Sequence, residues 1–162
     1  METVVIALGS NVGDRQQHLT DGRKFLEGIT QESLEKSSIY ISEAVGPSTR
    51  PFLNSVVTIQ SNRSPLDLLD QLKQFETDHG RDPSSPRWSA RTIDLDIIDF
   101  GHQKFESDRL RLPHPEYQNR LFVLLPLREV CPQWTDPIND KSIDDLISEA
   151  PELIIHRTEL NW

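Results

Sequence analysis

Along its first hundred residues this chain changes hydrophobic period in a set order: two, three-to-four, two, two, three-to-four, two. That order narrows the available folds more than any single motif. Thr3 to Leu8 (TVVIAL) is a β-branched run that reads as a buried strand, with Gly9-Ser10-Asn11 turning the chain after it. Asp14 is a candidate N-cap for a helix reaching about Gly28, with Leu19, Phe25 and Leu26 as apolar positions. Ser33 to Val45 sets Ile39, Ile41 and Val45 against Tyr40, Ser42 and Ala44, a strand pattern. Breakers make Gly46 to Pro51 a loop, and Phe52 to Gln60 is another strand. Ser64 and Pro65 open a helix carrying Leu66, Leu69, Leu72 and Phe75 and ending near Gly80. Arg81 to Ala90 (RDPSSPRWSA) reads as an exposed loop, and Thr92 to Phe100 (TIDLDIIDF) as a strand. Gly101 to Leu112 suits a small hairpin or extended arm. Asn119 to Val130 and Ile143 to Glu149 read as short helices.

The resulting β-α-β-β-α-β order predicts an α+β fold: a ferredoxin-like antiparallel sheet with two helices packed on one face, plus C-terminal helical additions. At 162 residues the chain is read as one domain, 1–162. Acidic residues number 26 against 17 basic ones, a net charge of −9. That argues against bulk nucleic-acid binding and against a basic membrane-docking surface, but allows a nucleotide held by a metal or by local arginines. The single cysteine, Cys131, makes no internal disulfide or structural zinc site and reads as a partly buried hydrophobe. Met1-Glu2-Thr3-Val4 lacks the features of a signal peptide, and no apolar run approaches the roughly 18 residues that span a bilayer. A cytoplasmic protein is expected, with a monomer as the default.

Within the last strand, residues two apart share a face. Ile93, Leu95 and Ile97 then point to the core, while Thr92, Asp94 and Asp96 point away, the carboxylates roughly 6.5–7 Å apart along the strand. Adjacent carboxylates repel unless a cation lies between them, and hard oxygens on a rigid element suit Mg²⁺. A lone Asp-x-Asp is more often a solvated polar face. Here Arg81, Arg87 and Arg91 precede the strand, Arg109 and Arg111 follow it, and Arg120 lies further on. Arginine binds phosphate bidentately, so the group points to a metal-phosphate site. His114 stands between two prolines, which hold its backbone and aim the ring. His18, His79, His102 and His156 have no such setting and read as surface residues. Phe52, Asn54, Phe122 and Trp88 offer rings and an amide that suit a planar heterocycle, although core packing is the commoner fate of a phenylalanine.

These residues resemble a known family. Gly9-Ser10-Asn11, Pro51-Phe52-Leu53-Asn54, Glu76 with Gly80-Arg81, Arg87-Trp88, Arg91-Thr92-Ile93-Asp94-Leu95-Asp96, and Pro113-His114 with Arg120-Leu121-Phe122 look like 6-hydroxymethyl-7,8-dihydropterin pyrophosphokinase, in order from about residue 4 to 130. The resemblance implies an ATP-dependent diphosphotransferase of folate biosynthesis, giving AMP and the pterin diphosphate. It implies two Mg²⁺ ions against Asp94 and Asp96, with Arg81 and Arg91 as further catalytic residues. It also implies ATP contacts from Glu76, Arg81, Trp88, Arg91, Arg109, His114 and Arg120. The pterin would lie between Phe52 and Phe122, read by Asn54, with Ser42 and Val45 lining the pocket. Trp88 would ride on a loop that closes over the substrates. This chain departs from the pattern at Asp82-Pro83-Ser84-Ser85-Pro86, at Lys73, where some relatives carry glutamine, and at Pro115. Two rival readings are a nucleotidyltransferase, which would release pyrophosphate, and a ligand-sensing module of the same fold, which would need no metal.

Overall fold

Asp14 and Ser64 fix where the two long helices begin. Asp14 accepts from the Gln17 amide at 3.1 Å and Ser64 from the Asp67 amide at 3.2 Å, each satisfying an otherwise orphaned N-terminal donor. The computed structural model describes residues 1–44, 50–79 and 92–162. In it α1 (Arg15–Ile29) and α2 (Pro65–Asp78) lie on one face of an antiparallel sheet. The strands are β1 (Glu2–Ser10), β2 (Glu35–Lys36), β3 (Tyr40–Ser42), β4 (Phe52–Ser61), β5 (Asp94–Phe100) and, near the C-terminus, β8 (Ile155–Arg157). Their order is β5-β1-β4-β3-β8, with β2 also paired to β4. This is the ferredoxin-like arrangement the sequence predicts. A separate hairpin, β6 (Phe105–Glu106) with β7 (Arg111–Leu112), occupies the expected arm.

The alternation of β1, β4 and β5 divides the core in two. Val4, Ile6, Leu8, Leu53, Val57, Ile59, Ile93, Leu95 and Ile97 meet α1 and α2. Val5, Val56 and Ile98 face the other way, against α3 (Leu121–Val130) and α4 (Ile143–Glu149). The C-terminal helices therefore cover the second face of the sheet. α1 approaches its own face closely because of Gly22: a Cβ there would stand 2.7 Å from Ile93 Cδ1 and 3.1 Å from Leu8 Cδ2. Cys131 is half-buried beside the α3 layer.

Three details differ from the sequence reading. Gly9 and Ser10 do not turn the chain; they are the last two residues of β1. The strand expected over Ser33 to Val45 is broken at Ser37, whose backbone N–H and hydroxyl both bond Val56 while its carbonyl accepts from Trp162 Nε1. β8 carries no periodic signal of its own; it forms because β3 leaves an edge to pair. The segments 45–49 and 80–91 lie outside the described residues, and with them Val45, Arg81, Arg87, Trp88 and Arg91.

Candidate functional site

The register brings distant residues into rows. Gly9 of β1 lies opposite Asn54 of β4 on one side and Asp94 of β5 on the other. Ala7 lies likewise between Val56 and Asp96. Two strand spacings, about 10 Å, therefore separate Asp94 from Asn54, with Asp96 two residues further along β5. Between them the sheet carries only the hydrogen of Gly9 and the methyl of Ala7. A cleft of about 570 Å³ opens over this floor, beyond the N-terminal end of α3.

One wall is built for a flat, edge-read group. Ser42, Phe52, Asn54 and Phe122 line it. Asn54 is almost fully buried and donates from Nδ2 to Ser42 Oγ at 2.7 Å. That bond fixes the amide orientation and leaves its other donor and its carbonyl for a ligand edge. The Arg120 guanidinium stands 5.6 Å from the centre of the Phe122 ring.

The other wall is charged. Asp94 and Asp96 line it from β5, with Lys73, His114, Glu116 and Arg120 around them. β5 is an edge strand, so Lys73 can reach round it from α2. Its Nζ donates to Glu76 Oε1 at 2.8 Å and to the Leu95 carbonyl at 3.4 Å, and stands 3.9 Å from Asp96 Oδ1. Glu76 itself is fully buried and accepts from Lys73; among the described residues it is not part of the cleft lining. His114 follows the cis Leu112–Pro113 peptide and is held by its backbone N–H on the Ile98 carbonyl at 2.9 Å. Its Nδ1 accepts from the Glu116 N–H at 3.1 Å, so the neutral ring carries its proton on Nε2. Burial holds this imidazole below its ordinary value, against the pull of the Asp96 carboxylate. Arg120 is oriented by Glu116 at 2.6 Å.

The cleft thus unites Ser42, Phe52, Asn54, Asp94, Asp96, His114, Arg120 and Phe122 from the sequence reading. It does not include Arg109, whose exposed side chain pairs with Asp70 of α2 instead. Sequence reasoning missed Glu116, Asn119 and the Pro151–Leu153 stretch, all of which line the cleft. The i, i+4 spacing of Glu116 and Arg120 was the available signal for the first; the last two had none. The donor set fits a hard divalent cation: two carboxylates share one face of a rigid strand and open on a cleft with room for water and phosphate.

Comparison with known proteins gives a family and a fold. Residues 5–132 match the family model described as 7,8-dihydro-6-hydroxymethylpterin-pyrophosphokinase (HPPK). A 2-amino-4-hydroxy-6-hydroxymethyldihydropteridine pyrophosphokinase of Synechocystis sp. is 38% identical over 147 residues, 90% of this chain and 75% of that protein. The Bacillus subtilis protein of the same name is 42% identical over 130 residues, 79% of this chain and 77% of that one. Among solved structures, an HPPK-DHPS in complex with substrates superposes with a TM-score of 0.71 at 12% identity, over 91% of this chain. This chain spans only 43% of that longer one, and the likeness there is one of fold.

Proposed function

The chain belongs to the 7,8-dihydro-6-hydroxymethylpterin-pyrophosphokinase family, and on that premise we propose how its cleft divides the work. The reaction carries a pyrophosphoryl group from ATP to the hydroxymethyl oxygen of 6-hydroxymethyl-7,8-dihydropterin, leaving AMP and the pterin diphosphate, within tetrahydrofolate synthesis. The pterin binds at the Ser42, Phe52, Asn54 and Phe122 wall, and the family resemblance adds Val45 from outside the described residues. The ATP phosphates bind at the Asp94 and Asp96 wall, with His114 and Arg120, and with Arg81, Trp88 and Arg91 from outside the described residues. The observation that supports this division most directly is the Asp94–Gly9–Asn54 row. In that row the Asp94 and Asn54 backbones stand about 10 Å apart with only Gly9 between them, which supports a cation at one end and a ligand edge at the other.

Asp94 and Asp96 would hold Mg²⁺, two ions by our reading, which would neutralise charge on the phosphates and lower the proton affinity of the hydroxyl. The protein's own part is placement. Asn54, held by Ser42, fixes the pterin edge. The ring of Phe122 covers its face and turns the hydroxymethyl group toward the aspartates. His114, with its proton on Nε2, donates to a phosphate oxygen, and Arg120 balances charge that builds there. Lys73 keeps Asp96 from facing Asp94 uncompensated. Such positioning supplies most of what a pyrophosphoryl transfer asks of a protein. No helix among the described residues is long and apolar enough to cross a membrane. We take the working form to be a cytoplasmic monomer, 1–162 acting as one domain without nucleic-acid or membrane partners.

The test is a pair of near-isosteric variants. Asp94→Asn and Asp96→Asn should each lose at least about a thousandfold in turnover while melting close to the parent, since both side chains lie on the open wall rather than in the core. Turnover within tenfold of the parent in either variant would remove the metal assignment.

A further inference from the structure

We propose that His18, Asp21 and His79 form a binding site for a zinc-class divalent transition metal, separate from the transfer cleft. Both histidines read as surface residues in the sequence, but they are half-buried and meet between α1 and the end of α2. Among the described residues this is the one group of three or more metal-ligating side chains whose ligand atoms all lie within 4.8 Å of one another. None of the three lines the cleft.

The donors are already near the separations such an ion requires. His18 Nδ1 and His79 Nε2 are 3.1 Å apart, and His79 Nε2 is 3.5 Å from Asp21 Oδ2. Tetrahedral zinc with bonds of about 2.0–2.2 Å sets neighbouring ligand atoms about 3.3–3.5 Å apart. Two imidazoles and one carboxylate favour Zn²⁺ and its neighbours over Mg²⁺, and three protein ligands leave a fourth position for water.

Each ligand is also held from behind. Gln17 Nε2 donates to Asp21 Oδ1 at 2.8 Å, which leaves Oδ2 toward His79. The His79 ring stacks on Phe75, with centroids 5.1 Å apart, and Phe75 stacks on Phe25 at 4.5 Å. His18 lies against the backbone of Gly13, where a Cβ would stand 3.0 Å from its Nε2. Gly13 has a φ of 65°, so its missing side chain serves both the turn and the ring. Outer contacts of this kind orient metal ligands. An ion here would tie α1 to the C-terminal end of α2.

The experiment is calorimetric titration of the chelator-stripped full chain with Zn²⁺ in excess Mg²⁺, with Co²⁺ absorption as an independent report of coordination. One equivalent should bind, with Co²⁺ giving the intense visible bands of a four-coordinate site. His18→Gln, His79→Gln and Asp21→Asn should each weaken binding at least about tenfold. Gly13→Ala should weaken it as well, and an Asp94→Asn/Asp96→Asn chain should keep it. Binding that survives His79→Gln but disappears in the Asp94/Asp96 chain would put the ion in the cleft and overturn the proposal. So would the absence of Zn²⁺ binding at millimolar metal, which would leave the three groups a hydrogen-bonded cluster. Because the readout is metal binding, loss of pyrophosphokinase activity for any other reason does not bear on it.

Discussion

Replacing Asp99 with asparagine should stabilise this protein, and by more as the pH rises. β5 carries three aspartates, and the third differs from the pair in the cleft. A bulge opposite Val5 turns Asp99 to the α3 face beside Ile98. There it is 3% exposed. Its Oδ2 accepts from Trp134 Nε1 at 2.9 Å, and its Oδ1 makes no well-formed hydrogen bond among the described residues. Burial raises its affinity for a proton, opposed by the Trp134 bond, by His102 and by the nearby backbone N–H groups of Phe100 and His102. A carboxyl whose folded value is raised favours the folded state at low pH, where it is neutral in both states. That advantage is lost as pH climbs through the folded value, because the unfolded chain ionises more readily. An orphaned buried acceptor costs about 1–3 kcal/mol. Asparagine keeps an acceptor for Trp134 and removes the charge, but leaves an amide N–H₂ to satisfy, so the net gain should be about 1 kcal/mol near pH 8. For a chain of this size that is roughly 2–4 °C in Tm. Denaturant melts of parent and Asp99→Asn at pH 4.5 and pH 8 would show it as a gap that widens with pH. A variant less stable than the parent at pH 8, or a gap that does not change with pH, would refute the reasoning.

Other outcomes follow from the same contacts. Phe122→Ala should weaken pterin binding more than ATP binding in separate titrations; equal losses would contradict the assignment of the Phe122 wall. Arg109→Ala should leave ATP affinity within about twofold, because its exposed side chain lies beside Asp70 and not among the described residues of the cleft lining, whereas Arg120→Ala should cost at least about tenfold. Gly22→Ala should lower stability by about 1–3 kcal/mol in denaturant melts despite alanine's better helix propensity, since the new methyl meets Ile93 and Leu8 at the sheet.

Much of the fold could be read from the chain because each long element carries its own signal. Asp14 and Ser64 cap, Leu66 to Phe75 repeat at helical spacing, and Ile93, Leu95 and Ile97 alternate. What could not be read is set by neighbours. β8 exists because β3 offers an edge, and the Ser37 break exists because Val56 and Trp162 both bond there. In the site, the polar alternation of β5 marked Asp94 and Asp96. The same alternation puts Asp99 with Ile93, Leu95 and Ile97; a bulge turns it instead to the α3 face, where it is buried. Gly9 was read as a turn because glycine usually breaks strands; here its missing side chain keeps the cleft floor open. Arg109 joins the site in the sequence through the arginine cluster and the family resemblance, and its pairing with Asp70, far away along the chain, carries no pattern to be read. His18 and His79, 61 residues apart, had no shared pattern to be seen in.

The most direct test of the central claim is to identify the nucleotide product. Purified protein incubated with Mg²⁺, ATP and 6-hydroxymethyl-7,8-dihydropterin should form AMP and the pterin diphosphate in equal amounts, and only when metal and pterin are both present. Release of pyrophosphate with an adenylylated pterin would contradict it, as would tight pterin binding without any turnover.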